Sequence, residues 1–514
     1  IGDTVDSLGA LTFTSQVDLG EANRRITTHA NATFGGVISN GGITKDGLGA
    51  LILTESNTYS GGTTLTQGSL FAANDFAFGT GALNLNGGVI GSNGGSRAFN
   101  NSILMAAGAV QFGDADHLDA ISFLGNTSLA AGRHAFDTAA NTTFAGVIDG
   151  RGASLVKQGA GILTLTNLNT YDGGTSLLGG TLALASSGAI GSTGTIVFAG
   201  GTLQFGSTNN TDYSARFSAA ANQALRLDTN GRDVTLASNL VSAGGSLAKL
   251  GTGTLTLAGA NTYTGSTSLA GGTLALGSAG ALGGGGGIDF AGGTLQFSAA
   301  NTSDLSARFV DTASQAVQLD TNGQAVTLAD ALASSGGTLT KLGSGTLTLT
   351  GNHSYSGTTT VRAGTLALGN GGTSGAVAGD LVVDTAAALV VNRSDALTLA
   401  GALSGAGTLT KQGGGTLTLS GTNNGYSGNT TLSAGTLALG SATALGSSGS
   451  IGFGGGTLQF SAANTSDLSA RFLDTAGQQI RLDTNGQTVT LADALASSGG
   501  TLTKLGSEIG RAHV

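Results

Sequence analysis

Cysteine, proline and tryptophan are absent from the 514 residues of the chain, and methionine occurs once. Without cysteine the protein has no disulfide and no thiolate-bound metal, although a long repeat protein can be secreted without disulfides. Without proline every residue keeps a backbone N–H, which a continuous β-ladder needs at each position. The absences therefore suit a β-protein that is stabilised by repetition rather than by cross-links.

Charge is also scarce. Charged residues make up 10% of the chain, the formal net charge is −9, and no basic stripe is present, so we expect no nucleic-acid partner. No run of about 18 apolar residues is present, so we expect no transmembrane helix. Glycine is abundant, with 92 residues, but follows no triplet pattern, which excludes collagen. The hydrophobic fraction of 39% is too high for a disordered chain, so we expect a packed core.

One repeated stretch dominates the chain and is clearest at Lys249–Gly277. It contains two Leu-x-Leu pairs, a threonine-rich run and the segment Asn-Thr-Tyr-x-Gly. All six lysines of the chain occupy one position of this repeat, and five of the six tyrosines occupy another. Copies are found near residues 45–72, 157–184, 249–277, 341–369 and 411–440, and a truncated copy starts at Lys504.

The pattern within each copy predicts short β-strands. Leu255–Leu257, Thr267–Leu269 and Leu274–Leu276 alternate apolar and polar residues at the two-residue period of a strand. No stretch has the apolar spacing of an amphipathic helix. Successive copies begin 70 to 112 residues apart, whereas the blades of a closed propeller keep one period. We therefore predict an all-β fold, a parallel β-helix (β-solenoid) with turns of about 20–25 residues.

A longer block is duplicated around the repeat. Residues 294–343 match residues 457–506 almost residue for residue. The segment Leu227–Gly231 likewise recurs at Leu319 and at Leu482. Such duplication indicates a modular stack, because only a modular stack tolerates the addition of whole units.

The consensus Lys-x-Gly-x-Gly-x-Leu-x-Leu-x-Gly-x-Asn-x-Tyr-x-Gly-x-Thr-x-Leu-x-x-Gly-x-Leu-x-Leu resembles the autotransporter-associated β-strand repeat of type V secretion passengers. The match is specific in four copies and looser at 45–72. The resemblance implies a right-handed parallel β-helix, a single elongated rod that forms the passenger over residues 1–507. It also implies export through an outer-membrane β-barrel that lies C-terminal in the same polypeptide and is absent from this fragment. The implied location is the cell surface, the outer membrane or the secreted fraction of a Gram-negative bacterium.

The last seven residues, Glu508–Val514, interrupt the sixth copy in mid-motif. They match the translation of a common sequencing adapter whose next codon is a stop. We therefore predict that residues 508–514 are an artefact, and we exclude them from functional reasoning.

We assign no catalytic, cofactor-binding or metal-binding residue. The repeated lysine is interpreted as a solvated or carboxylate-paired turn residue in preference to an anion site. The repeated tyrosine is interpreted as a packing residue in preference to a glycan-binding strip. Three equivalent arginines are each predicted to pair with the aspartate that follows about half a turn later, the pairs being Arg216 with Asp228, Arg308 with Asp320 and Arg471 with Asp483.

The segment Asp114–Asp119 contains three aspartates and a histidine, and it is a candidate calcium site. It lacks the Gly-Gly-x-Gly-x-Asp iteration of calcium-binding rolls, so we favour a polar loop. The histidines have no metal-ligand spacing, and the run Gly283–Gly287 lacks the Lys-Ser/Thr of a phosphate loop.

Composition and resemblance together predict a non-enzymatic adhesin or aggregation rod that contacts a host surface, glycans or sister cells through many weak sites. The alternative is a passive β-helical scaffold that presents an enzymatic or toxic head encoded outside this fragment. A polysaccharide lyase is disfavoured, because no lysine or arginine lies within ten residues of the Asp114–Asp119 cluster.

Overall fold

The computed structural model describes residues 9–507 and the backbone of Arg511 and Ala512. Within these residues the regular elements are short β-strands and three single-turn 3-10 helices, and the paired strands run parallel. The predicted all-β fold is therefore confirmed. Among the described residues, no helix is long and apolar enough to cross a membrane. The predicted artefact at 508–514 lies outside the described residues, apart from the two backbone positions already named.

The chain divides into two compact units, and the first is Ile1–Gly265. Its described part contains one 3-10 helix, η1 (Ser214–Arg216). Its strands are β1 (Leu11–Phe13), β2 (Val17–Asp18), β3 (Asn23–Thr27), β4 (Ala32–Phe34), β5 (Ile38–Ser39), β6 (Gly42–Asp46), β7 (Ala50–Leu53), β8 (Thr63–Leu65), β9 (Ser69–Ala72), β10 (Leu83–Leu85), β11 (Val89–Ser92), β12 (Arg97–Phe99), β13 (Ile103–Met105), β14 (Gly108–Phe112), β15 (Ile121–Phe123), β16 (Thr127–Leu129), β17 (Gly132–Thr138), β18 (Thr142–Phe144), β19 (Ile148–Asp149), β20 (Ala153–Gln158), β21 (Ile162–Leu165), β22 (Thr175–Leu177), β23 (Thr181–Leu184), β24 (Ile196–Phe205), β25 (Ala224–Asp228), β26 (Val234–Leu236), β27 (Ser246–Leu250) and β28 (Thr254–Leu257).

The second unit is Ser266–Val514. Its described part contains two 3-10 helices, η2 (Ser306–Arg308) and η3 (Ser469–Arg471). Its strands are β29 (Thr267–Leu269), β30 (Thr273–Leu276), β31 (Ile288–Phe290), β32 (Thr294–Gln296), β33 (Ala316–Asp320), β34 (Ala325–Leu328), β35 (Thr338–Leu342), β36 (Thr346–Leu349), β37 (Thr359–Val361), β38 (Gly364–Leu368), β39 (Leu381–Val383), β40 (Ala387–Asn392), β41 (Leu397–Leu399), β42 (Leu403–Ser404), β43 (Thr408–Gln412), β44 (Thr416–Leu419), β45 (Thr430–Leu432), β46 (Thr436–Leu439), β47 (Ile451–Phe453), β48 (Thr457–Gln459), β49 (Gln479–Asp483), β50 (Thr490–Leu491), β51 (Thr501–Leu505) and β52 (Arg511–Ala512).

Each unit is a stack of turns, and most strands pair with strands of the turns before and after them. In the first unit β15, β16 and β17 form one turn and pair with β18, β19 and β20 of the next. Partners in successive turns are 19 to 26 residues apart in sequence. The parallel solenoid is thus confirmed, and the strands predicted at 255–257, 267–269 and 274–276 lie in β28, β29 and β30.

Three parallel sheets run along the stack of the second unit. The first contains β30, β32, β33, β35, β37, β39 and β42, the second β34, β36, β38, β40, β43, β45 and β47, and the third β41, β44, β46, β48, β49 and β51. Lys341 lies in the first sheet, Lys411 in the second and Lys504 in the third. The repeat therefore does not return to the same side of this unit in successive copies.

Inward-facing side chains of consecutive turns form apolar ladders. In the second unit Val326, Leu347, Leu366, Leu389 and Leu409 occupy one register position over five turns, and all are buried. Full burial of such a side chain contributes about 1.5–3 kcal/mol. The alternation of buried and outward residues matches the two-residue period of the Leu-x-Leu pairs.

The core of the first unit is partly aromatic. Phe112, Phe123, Phe136 and Phe144 are buried and pack around one another, with ring centroids 5.0–5.9 Å apart. Edge-to-face and offset contacts of this kind add about 0.5–1.5 kcal/mol per pair beyond burial. Phenylalanine thus takes the place of leucine in this part of the core, where Phe123 and Phe144 share one register position that Leu165 occupies in the next turn.

Tight corners between strands use residues that tolerate a left-handed backbone. Asn230 and Gly231 have φ angles of 47° and 81°, a region that asparagine and glycine adopt at low cost. The side-chain amide of Asn230 donates to the carbonyl of Phe205 in the preceding turn (3.2 Å). This corner positions the two residues that follow it, Arg232 and Asp233, at the surface.

Candidate functional site

The repeated lysine is buried in the core, so its interpretation as a solvated or carboxylate-paired turn residue is wrong. Lys341 lies in β35 between Leu319 and Val361 of the neighbouring turns, and its exposed fraction is 0%. Lys45, Lys157, Lys249 and Lys411 are buried as well. A charged side chain tolerates such a position only if its hydrogen bonds are satisfied.

The lysine ammonium is satisfied by backbone carbonyls. Lys341 Nζ donates to the carbonyl oxygens of Leu342 (2.9 Å) and Gly343 (2.7 Å) in its own corner, and of Ala363 (3.0 Å) in the next turn. Lys157 makes the same three contacts at 2.7–3.1 Å. An ammonium has three N–H donors, so the lysine joins two successive corners with no donor left over.

Burial also sets the acidity of this group. Burial lowers the pKa of Lys341 from 10.5 to about 8, while the charge of Asp320 opposes the shift. A lowered pKa is typical of nucleophilic lysines. Here the amine is enclosed by carbonyls and has no exposed surface, so it cannot meet a substrate, and we assign it a structural role.

The repeated tyrosine packs inside the stack, as predicted. Tyr171 is fully buried, and its hydroxyl lies 2.9 Å from the Thr175 hydroxyl four residues later. Tyr59 makes the equivalent contact with Thr63 at 2.6 Å. The buried rings form no strip on which a sugar can stack.

The asparagine two residues before the tyrosine links three turns, a role that was not predicted from the sequence. Asn57 accepts a hydrogen bond from the Ile38 N–H of the preceding turn and donates to the Ala77 carbonyl of the following turn, both at 2.7 Å. In the fourth copy His353 replaces it. His353 Nδ1 accepts the Leu332 N–H (3.0 Å), but the buried Nε2 has no partner among the described residues.

The predicted arginine–aspartate pairs do not form. Arg216 donates instead to the carbonyls of Gly194 and Gly191 at the corner of the preceding turn, both at 2.8 Å. Asp228 accepts from the Gln204 amide (2.7 Å). Arg308 and Arg471 also bind corner carbonyls, and Asp320 and Asp483 also bind glutamines. Like the lysine, these arginines compensate carbonyls that glycine-rich corners turn inward.

The aspartates of the Asp114–Asp119 segment do not converge. Asp114 contacts the His117 ring (2.7 Å), whereas Asp119 accepts the backbone N–H of Gly95 (2.7 Å). The imidazole of His117 stacks on Phe71, with centroids 3.6 Å apart. Between residues 9 and 507, no group of three or more histidine, aspartate or glutamate side chains is arranged to hold a metal ion.

The outward positions of the strands are mostly polar. Along one sheet of the second unit these positions are Thr327, Thr348, Ala367, Val390, Thr410 and Thr431, of which Ala367 is buried and the four threonines carry the polar groups. Along one sheet of the first unit they are Thr44, Thr64, Asn84, Leu104 and Ser128. Strand spacing places equivalent groups about 4.8 Å apart. These faces carry hydroxyl and amide groups, interrupted by apolar side chains such as Val390 and Leu104.

Comparison with known proteins agrees with this architecture. Five segments match the family model described as the passenger-associated-transport-repeat, at residues 43–70, 155–184, 247–276, 339–368 and 409–439. The chain is similar to a protein described as "Adhesin BmaC autotransporter" from Brucella suis biovar 1 (strain 1330), with 32% identity over 467 residues. The match covers 73% of this chain and 13% of that relative, so the chain spans only a small part of the relative's length. No solved structure matches the chain.

Proposed function

We propose that this chain, which is an autotransporter passenger repeat protein, is a non-enzymatic adhesin or aggregation module. The observation that supports the proposal is the arrangement of the repeat. Its lysine and tyrosine are buried, whereas its outward ladders expose hydroxyl and amide groups. Repeated weak contacts along such ladders sum to firm attachment through avidity. The similarity to a protein described as an adhesin favours the same function.

We further infer where the chain acts. In the complete protein, residues 1–507 belong to a passenger that is linked to a C-terminal outer-membrane translocator. The passenger is displayed at the surface of a Gram-negative cell or released from it, and it contacts a host surface, glycans or sister cells. The match to passenger-associated repeats supports this placement.

The test is an in-frame deletion of residues 9–507 in the complete gene, with the translocator kept. Attachment to host cells, attachment to abiotic surfaces and autoaggregation are measured beside the parent and a complemented strain. We expect at least one of the three to fall sharply while the outer-membrane level of the translocator is unchanged. Unchanged attachment and aggregation would overturn the proposal.

A scaffold role is the second candidate, because the chain corresponds to only 13% of the length of its relative. The rest of such a protein has room for an enzymatic or toxic head. Displaying residues 9–507 alone on a foreign translocator separates the two functions. An adhesin confers attachment on a non-adherent strain, whereas a scaffold confers none.

A further inference from the structure

An open cleft of about 350 Å³ lies on the outside of the first unit. Two of its lining residues, Thr208 and Asn210, belong to the loop that follows β24. The other three, Gly231, Arg232 and Asp233, form the corner between β25 and β26 of the next turn. The cleft is thus built by two successive turns and by the left-handed corner described above.

The polar groups of this cleft are available to a ligand. Arg232 and Asn210 are exposed, and no hydrogen bond or ion pair engages their side chains within residues 9–507. Asp233 uses one carboxylate oxygen to accept the Thr254 N–H (3.0 Å), which leaves the other oxygen free. Thr208 donates its hydroxyl to the Ala185 carbonyl (2.8 Å) and keeps its lone pairs. The cleft therefore presents a guanidinium, an amide and two oxygen acceptors.

The duplicated block supplies an internal comparison. The block occurs in three versions, whose Leu-Asp-Thr-Asn-Gly corners begin at Leu227, Leu319 and Leu482. This corner is identical in all three versions, but the four polar lining residues are found only in the first. The equivalents in the second and third versions are Ala300 and Ala463 for Thr208, Thr302 and Thr465 for Asn210, Gln324 and Gln487 for Arg232, and Ala325 and Thr488 for Asp233.

The replacements show that the corner does not need these side chains in order to fold. Gln324 donates to the carbonyl of Asn322 (3.2 Å), within its own corner, instead of projecting a charge. Arg232 differs in turn from Arg216, which is engaged by corner carbonyls. The first version therefore carries a cation, Arg232, and an amide, Asn210, whose side chains make no hydrogen bond or ion pair within residues 9–507.

We propose that this cleft binds a carboxylate-bearing sugar residue of an acidic glycan. The guanidinium of Arg232 recognises the carboxylate through paired N–H···O bonds. Asp233 and Thr208 accept hydrogen bonds from ring hydroxyls, and the Asn210 amide both donates and accepts. Asp233 beside the single cation disfavours a dense polyanion such as nucleic acid. This assignment deepens the proposed adhesin function and rests on it.

The full chain is titrated calorimetrically at low salt with three probes. They are a uronic-acid tetrasaccharide, a sialylated trisaccharide and a neutral tetrasaccharide. We expect one site for at least one acidic probe and at least about tenfold weaker binding of the neutral one, because the guanidinium contact is lost. The acidic probe that binds identifies the source of the carboxylate. Failure of both acidic probes to bind overturns the proposal.

Substitutions assign the binding to the cleft. Arg232→Gln installs the residue of the other two versions, so the corner stays folded, and we expect affinity for the acidic probe to fall at least about tenfold. Arg133→Gln removes another exposed arginine of the same unit and should leave binding unchanged. The quadruple variant Ala300→Thr/Thr302→Asn/Gln324→Arg/Ala325→Asp should raise the stoichiometry from one to two. Undiminished binding by Arg232→Gln refutes the assignment, and so does an unchanged stoichiometry.

The two proposals fail in different ways. If deletion of residues 9–507 abolishes attachment but Arg232→Gln binds the acidic probe as before, the cleft assignment fails and the adhesin function stands. If deletion leaves attachment unchanged while the purified chain binds the probe through Arg232, the cleft assignment stands and the adhesin function fails.

Discussion

The Nζ atom of Lys341 lies 3.0 Å from the carbonyl oxygen of Ala363, which belongs to the following turn. The same atom donates to Leu342 and Gly343 in its own corner. One buried ammonium thus holds two successive corners together by donating to three of their carbonyls. We expect the loss of this group to loosen both turns at once.

Lys341→Met tests this role. Methionine keeps most of the apolar stem but leaves the three carbonyls without their donor, which costs about 1–3 kcal/mol. We expect a lower urea midpoint and faster hydrogen exchange in peptides that cover β35 and β37. Lys504→Met is the matched control, because Lys504 is exposed and contacts only two carbonyls. An equal loss from both substitutions would contradict the proposed role.

The hydroxyl contact between Tyr171 and Thr175 is tested by a double-mutant cycle. Tyr171→Phe leaves the buried Thr175 hydroxyl unpaired and should destabilise the protein by about 0.5–1.5 kcal/mol. Tyr171→Phe/Thr175→Val removes both partners, keeps the volume and suits a strand, so it should recover part of that loss. A coupling energy near zero between Tyr171 and Thr175, measured by urea unfolding, would show that the contact between their hydroxyls does not stabilise the protein.

His353→Asn should stabilise the protein. The histidine buries an unpartnered Nε2 in the position where asparagine elsewhere bonds to turns on both sides. Burial lowers the pKa of His353 to about 4, so the ring is neutral at neutral pH. We expect a gain of about 1 kcal/mol from the restored hydrogen bond. The reciprocal change, Asn169→His, should destabilise by a similar amount. Urea unfolding in which both substitutions shift the stability in the same direction would contradict this assignment.

Stability should rise between pH 8 and about 10 and fall above it. Burial lowers the pKa from 10.5 to about 8 for Lys45, Lys157, Lys249 and Lys341. In that window the unfolded chain binds more protons than the folded one, so the free energy of unfolding increases with pH. Burial also raises the pKa of the repeat tyrosines above 10. Above pH 10 the folded chain therefore binds more protons at these tyrosines than the unfolded chain does, and the free energy of unfolding decreases with pH.

Urea midpoints at about pH 7, 9.5 and 11 measure this profile. The middle value should be the highest. Lys341→Met should show a smaller rise between the first two values, because one titrating group is gone. A midpoint that decreases from pH 7 to 9.5 would contradict the assigned direction of the lysine pKa.

Strand positions and the parallel stack were predictable from sequence, because the Leu-x-Leu alternation is local. The burial of the lysine also has a signal in the sequence. In Leu339-Thr340-Lys341 the lysine has the parity of the leucine, and residues two apart on a strand face the same side. The charge of the lysine favours an exposed position in water. The carbonyls of the two corners nevertheless allow it to be buried, because they accept all three hydrogen bonds of its ammonium.

The arginine contacts and the cleft were not predictable in this way. Arg216 and Asp228 are close in sequence, yet the arginine turns toward the preceding corner, because carbonyls cluster there. Asn210 and Arg232 line the same cleft only because the intervening turn has the length that brings loop and corner together. Such contacts depend on turn length and corner geometry, and neither is set by a local pattern.

The three lysine-bearing strands of the second unit lie in three different sheets. The outward-facing side chains of successive copies are consequently presented on different sides of this unit. On the proposed adhesin function, contacts made through successive copies are therefore directed to different sides of this unit. Assays that report binding through these repeat faces should therefore tolerate random coupling of the immobilised protein.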